Sequence, residues 1–347
     1  MIPREQFPVS TTLESVARLA GVSRSTVSRA LHGNPRLPSS TITAIRAIAD
    51  RVGYRTNPLM GDMMRTVRRS GQHVHHGTLA YLTFHPTAES WRTNSTYTRF
   101  YEGAQARAKT LGFSLDLIWA RQRGLNATRL TAMLQARGIT GVVIGPRPGV
   151  VLPDFLNWSQ FASASVGVPL PDIRVNQAAS HHARGMERML AALQRRGFRR
   201  PGLVLLEMQV ARTDHGWVAT WLHDQANRPE RQRVPLLVLP EWSDRKIVGW
   251  AREHRPDVVI GVDASIIPIL QRGGWRLPED MGFAQLSRPD SPDAPAGMDQ
   301  HPRAVGAAAV DLVAGQLFSG ERGLVETPRV LLIEPDWRDG WTIPLAS

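Results

Sequence analysis

A run of hydrogen-bonding side chains lies at residues 23–31, where Ser23, Arg24, Ser25, Thr26, Ser28 and Arg29 interleave with Val27, Ala30 and Leu31. On a helix the three apolar residues share one face and the polar set covers the other. Arginine presents a planar fork of donors that matches guanine O6 and N7, and each good bidentate pair discriminates between bases by roughly 1–3 kcal/mol. Arg24, Ser25, Ser28 and Arg29 are the positions left to meet base edges. Ser23 and Thr26 are better placed for helix capping and backbone phosphate. The competing reading is a solvated helix with a charged face.

Such a helix needs supports, and these can be read on either side of it. Thr11 and Glu14 have the spacing of a capping box, after which Val16, Leu19 and Ala20 share a helical face. Gly21 breaks this first helix, as a residue free to take positive φ does at a tight turn. Ser23 caps the second helix. A loop with Gly33, Asn34, Pro35 and Pro38 follows, then Ser39 or Ser40 starts a third helix carrying Ile42, Ile45, Ile48, Ala49 and Val52, ended by Gly53. Two helices meeting steeply across a short glycine turn can place the N-terminal end of the second in a major groove.

Charge agrees with this placement. The 347 residues carry a net charge of +12, and all but two of the 42 basic residues (Lys109 and Lys246) are arginine. Residues 1–70 hold eleven arginines against four acids, so most of the excess sits in a fifth of the chain. A concentrated basic excess points to a polyanion. With 42% hydrophobic and 21% charged residues, the chain reads as globular, with material for two or three folded units. The absence of cysteine excludes disulfides, thiolate chemistry and Cys-based zinc sites. Residues 1–10 lack the apolar run of a secretory signal, and no stretch is long and apolar enough to span a bilayer. A cytoplasmic location without a membrane partner is expected.

Beyond a polar stretch at residues 68–77, apolar strand candidates alternate with helices. The strands are expected at 78–84, 114–119, 141–144, 161–167, 202–206, 236–239, 258–262 and 282–286. Helices are expected at 99–111, 126–137, 183–196 and 305–318. This alternation implies parallel sheets with helices on both faces, and eight strands over 270 residues suit two doubly wound lobes.

From Thr12 to Leu31, through Gly33-Asn34-Pro35 and on to Gly53-Tyr54-Arg55-x-Asn57-Pro58-Leu59, the chain closely resembles the lactose-repressor/galactose-repressor (LacI/GalR) family; the likeness is looser beyond. The resemblance implies an all-α helix-turn-helix DNA-binding head at 1–57 and a hinge helix and linker at 58–76. It implies an α/β two-lobed, periplasmic-binding-protein-like effector and dimerisation domain at 77–347, with crossover strands near 170–176, 286–292 and 326–332. It also implies a homodimeric repressor on a pseudopalindromic operator of double-stranded DNA, controlled by a small ligand in the inter-lobe cleft. Thr12 joins the DNA-contacting set, and Arg24, Ser25 and Arg29 fall at the family's main base-reading positions. Asn57, Met60 and Met63 align with its hinge pattern, where Met63 takes the place of a minor-groove leucine wedge. A plain interdomain linker is the alternative.

For the ligand, the resemblance implies His85, Tyr97 and Tyr101 on the first lobe and His181, Arg212, Asp263 and Arg288 on the second. Sugars and nucleosides are the family's common effectors. Two acids expected in the cleft are replaced: His181 stands at one, and the other strand end reads Gln285-Leu286-Ser287-Arg288. An acidic or phosphorylated ligand is therefore the competitor to a sugar. Arg288 as a surface loop residue, and His181-His182 as a helix cap, are alternatives to ligand contact. Trp217 and Trp221, four apart, read as a core-facing helix stripe. His73, His75 and His76 read as solvated linker, so no metal set is assigned, and no cofactor. No phosphate loop or nucleophile elbow is present, so the chain is not read as an enzyme. Two further readings are a DNA-binding regulator whose C-terminal module only dimerises, and a solute-binding transport component, which would need an export signal.

Overall fold

The computed structural model describes residues 13–23, 26–27, 30, 38–51, 76–147, 155–167, 170 and 173–344. It divides into two compact units, residues 1–74 and residues 75–347.

In the first unit, α1 (Leu13–Ala20) and α2 (Ser39–Arg51) pack together, with Thr26, Val27 and Ala30 helical between them. Gly21 ends α1 with φ +63°, the left-handed region where only glycine is unstrained. Val16, Ala17, Val27, Ala30, Ile45 and Ala49 form a small buried core, with Ala20, Ile42 and Ile48 against it. Leu19 does not join them and is 56% exposed. The inward stripe of α1 is Val16, Ala17 and Ala20, which leaves Leu19 roughly a third of a turn from its centre.

The second unit holds two six-stranded sheets. The first runs in the order β11-β5-β4-β3-β1-β2 and contains β1 (Gly77–Thr83), β2 (Phe113–Trp119), β3 (Gly141–Ile144), β4 (Ala162–Val166), β5 (Asn176–Ser180) and β11 (Val330–Ile333). Every pair in it is parallel. The second runs β12-β10-β9-β8-β6-β7, with β6 (Pro201–Leu206), β7 (Leu237–Leu239), β8 (Val258–Gly261), β9 (Gly282–Gln285), β10 (Gly297–Asp299) and β12 (Asp336–Arg338). Only the β10–β12 pair is antiparallel among its described pairs. Fully buried runs such as Gly141-Val142-Val143-Ile144 are what a sheet covered on both faces requires.

Helices supply that cover. α3 (Ser95–Thr110) and α10 (Pro302–Ser319) lie on one face of the first sheet, and α4 (Ala127–Ala136) lies on the other. On the second sheet, α5 (His182–Arg195) and α7 (Gly216–Asn227) cover one face, and α8 (Asp244–His254) and α9 (Ile266–Arg272) the other. The short α6 (Glu207–Arg212) follows β6 directly. α3 and α10 cross at glycines: a Cβ on Gly103 would sit 1.9 Å from the Arg303 carbonyl oxygen, and one on Gly306 would sit 1.9 Å from that of Phe100.

The chain passes between the sheets three times: after β5 at His181, after β10 at Gln300–His301, and between β11 and β12 at Glu334–Pro335. Each crossing lies C-terminal to the expected 170–176, 286–292 and 326–332, because β5, β10 and β11 extend their sheets before the chain leaves them. The crossings are tied to one another. The His181 N–H donates to the Ile333 carbonyl at 2.8 Å, Ser180 Oγ to that of Gln300 at 2.9 Å, and Arg188 Nη1 to that of Pro335 at 2.7 Å.

Candidate functional site

In the first unit, the expected cap is in place: Ser23 Oγ accepts from the Thr26 N–H at 3.2 Å and lies 2.9 Å from Thr26 Oγ1. Val27 and Ala30 are buried, so the second helix turns its expected apolar face into the small core. Thr12, Arg24, Ser25, Ser28, Arg29, Asn57, Met60 and Met63 lie outside the described residues.

In the second unit, a cleft of about 420 Å³ opens at the carboxyl ends of the strands, where open α/β sheets bind ligands. The first sheet contributes residues following β1 (Thr93 to Tyr97) together with Phe100 and Gly167. The second contributes Arg212 and Trp217 beyond β6, Asp263 beyond β8, and Gln285 and Ser287 at the end of β9. The crossings add Ser180, His182 and Gln300. Thr96 Oγ1 and Ser287 Oγ approach to 3.5 Å across the opening.

Three residues expected from sequence meet there. Tyr97 lies on the first turn of α3. Arg212, at the last position of α6, places its guanidinium 5.3 Å from the Tyr97 ring centroid. Burial lowers the Arg212 pKa, with no carboxylate offsetting it. Asp263 holds its loop through Oδ1, which accepts from the Ser265 N–H at 2.9 Å.

The other four expected residues do not line the cleft. His85 is buried behind Tyr97, their ring centroids 5.5 Å apart, and burial followed by the nearby Arg212 charge lowers its pKa. Tyr101 is one helical turn further along α3. It packs edge-on against Tyr81 and Trp91 at 5.2 and 5.5 Å, and its hydroxyl accepts from Gln105. His181 caps α5, its Nδ1 accepting from the Arg184 N–H at 3.3 Å. Arg288 donates to the carbonyls of Pro295, Pro289 and Ser291 at 2.9–3.0 Å, so its fork is filled by its own loop.

Among the lining residues not expected as contacts, four carry the polar chemistry of the buried walls. His182, not His181, faces the cleft; burial and then the His181 charge depress its pKa to about 4. Its ring meets the edge of Trp217 at 4.8 Å, and Trp217, expected in the core, both packs there and lines the cleft. Gln285 and Gln300 are 4% and 5% exposed. Their amide nitrogens donate to the carbonyls of Ser287 and Leu286. Among the described residues, Gln285 Oε1, Gln300 Oε1, His182 Nδ1 and Trp217 Nε1 are buried without a hydrogen-bond partner. Buried polar atoms without a partner in the chain call for one from outside it, a water or a ligand. Two neutral glutamines carry no charge signature in the sequence, and only their burial singles them out.

Residues 12–57 match the family model for bacterial regulatory proteins of the lacI family. A curated relative, the HTH-type transcriptional regulator PtxS of Pseudomonas putida, is 26% identical over 193 residues, 54% of this chain. The chain spans about half the length of this relative, 52%. Among solved structures, a transcriptional regulator CelR–cellobiose complex is similar at TM-score 0.57 and 20% identity, over 96% of this chain and 99% of that one. A Lac repressor dimer bound to operator and the anti-inducer ONPF is similar at TM-score 0.54 and 16% identity, over 96% and 98% of the two chains. At these identities the likeness to solved structures is one of fold.

Proposed function

We propose that this chain, whose residues 12–57 match the model of the lacI family of bacterial regulatory proteins, is a homodimeric repressor of that family whose operator binding is controlled by a small molecule in the cleft of residues 75–347. The observation that carries the reading is the pairing, in one chain, of a family-matched helix-turn-helix at 12–57 with a two-lobed α/β unit whose cleft walls hold unpartnered polar groups. Arg24, Ser25 and Arg29 read bases in the major groove, with Thr12, Ser23, Thr26 and Ser28 supporting them from phosphates and caps. Two heads related by dimer symmetry require a pseudopalindromic operator. Met63, with Asn57 and Met60, enters the minor groove as a wedge. A DNA partner implies a cytoplasmic site of action.

Ligand acts through closure. A molecule that contacts both lobes stabilises the closed arrangement by its differential affinity, and lobe rotation then alters the spacing of the heads. The test is selection of bound genomic fragments by the purified protein, followed by mobility-shift titration of the recovered site with small molecules added. Recovery of a pseudopalindrome released by a ligand is the expected result. A site whose affinity no small molecule changes, with no ligand stabilising the protein, would instead favour a C-terminal unit that only dimerises. Failure to enrich any sequence overturns the DNA-binding reading.

A further inference from the structure

We propose that the cleft takes a small hydroxylated monocarboxylate, its carboxylate held in the guanidinium fork of Arg212 and its hydroxyls donated to Gln285, Gln300 and Asp263. The proposal rests on the reading of this cleft as the effector site and names what fits it.

Arg212 is the one cation lining the cleft among the described residues. Its only close partner among the described residues is the Tyr97 ring. Other partly buried arginines of this unit are engaged by acids or by carbonyls: Arg196 pairs with Asp339, Arg228 with Asp224, Arg288 donates to three carbonyls, and Arg99 donates to the Ser95 carbonyl. A half-buried cation without an acid is costly, and a carboxylate is the group whose two oxygens match the fork. Neutral hydroxyls would fill the donors without neutralising the charge.

The opposite requirement comes from the glutamines. Both amide nitrogens are committed to backbone carbonyls, which fixes the two Oε1 atoms as acceptors. Only a donor can satisfy them, and a hydroxyl is such a donor. Asp263 is likewise an acceptor while ionised. A bare carboxylic acid supplies none of these hydroxyl donors.

A phosphate fits less well. The N-terminus of α3 closes one side of the cleft, but its Thr96 and Tyr97 N–H groups already donate to Asn94 Oδ1, at 2.9 and 3.4 Å. The helix end is thus capped from within. Among the described lining residues Arg212 is the one arginine or lysine, which suits a single negative charge. The volume, about 420 Å³, is that of a site for a small molecule.

Isothermal titration of the full-length protein with D-gluconate, D-glucose and D-glucose 6-phosphate tests this. Gluconate should bind, and glucose should bind roughly tenfold or more weakly, the least expected from loss of a charge-assisted pair. Arg212→Gln should weaken gluconate by at least about the same factor without lowering the unliganded melting temperature, because it removes an unpaired charge. Met208→Trp, which narrows the cleft at a residue 49% exposed, should also weaken it. Glucose binding as tightly as gluconate, and lost in Met208→Trp, overturns the ligand class while the cleft reading stands. Tighter binding of glucose 6-phosphate overturns the single charge. No binding of gluconate at millimolar concentration, or a lower melting temperature for Arg212→Gln, overturns the proposal. Gluconate binding unaltered in both variants overturns the proposal and the cleft reading together.

Discussion

His182 carries an imidazole whose buried Nδ1 has no partner and whose pKa is depressed to about 4, chiefly by desolvation. The unfolded chain protonates this group near 6.5, the folded chain only near 4. Below 6.5 the unfolded state therefore binds more protons, and stability falls as pH drops from 6.5 towards about 4. Above 6.5 the group contributes no pH dependence. The loss is at most about 3 kcal/mol over that window. Urea unfolding across this pH range should show a flatter profile for His182→Phe than for the natural protein; parallel profiles would remove the effect. At this scale the sequence was informative where residue type stands out. Tyr97, Arg212 and Asp263 were recognisable as an aromatic, a cation and an acid. His181 and His182 are identical in type, and only the backbone path into α5, non-helical at His181 and helical from His182, decides which one caps and which one faces the cleft. Gln285 and Gln300 were invisible, because an amide acquires its meaning only when burial and spent donors fix it as an acceptor.

Helices α3 and α10 meet backbone to backbone, and this contact sets how tightly the first sheet is covered. In a Gly306→Ala variant the new Cβ would press on the Phe100 carbonyl oxygen and stand 3.1 Å from the Ala104 nitrogen. Backbone atoms cannot turn aside as a side chain can, so the helices must separate. A destabilisation of about 1–3 kcal/mol is expected from such overpacking, read as a lower urea midpoint. An unchanged midpoint would mean the crossing has slack. The elements themselves were mostly readable. Buried parallel strands need continuous apolar runs, and β1, β2, β3, β4, β6, β7, β8 and β9 fall within a residue or two of the expected positions. The four strands outside that set lack that signal. β5 reads Asn-Gln-Ala-Ala-Ser, β10 and β12 have three residues each, and β11 exposes Val330 and Leu332 at a sheet edge. Their pairing partners, rather than their composition, make them strands, which is also why the lobe crossings lay further along the chain than expected.

The molecule as a whole combines a strongly basic N-terminal seventy residues with a larger unit whose described ion pairs mostly join distant parts of the chain. Phosphate neutralisation by the N-terminal arginines should make operator affinity fall by about three orders of magnitude between roughly 50 and 200 mM salt. Filter binding across that range measures it, and a flat response would mean that few phosphates are contacted. The chain order alone was enough to establish the helix-turn-helix spacing around Gly21, the local arginine excess and the alternation of strands with helices. Each of these is a relation between near neighbours, carried by periodicity and residue type. Which side chains share the cleft was decided only by the tertiary structure. Asn94, Arg212, Asp263, Gln285 and Gln300 come from the ends of different elements, brought together by two sheets and three crossings. Whether a guanidinium finds an acid, or an amide oxygen finds a donor, depends on that assembly, because desolvation and partnership are properties of enclosure and have no local pattern.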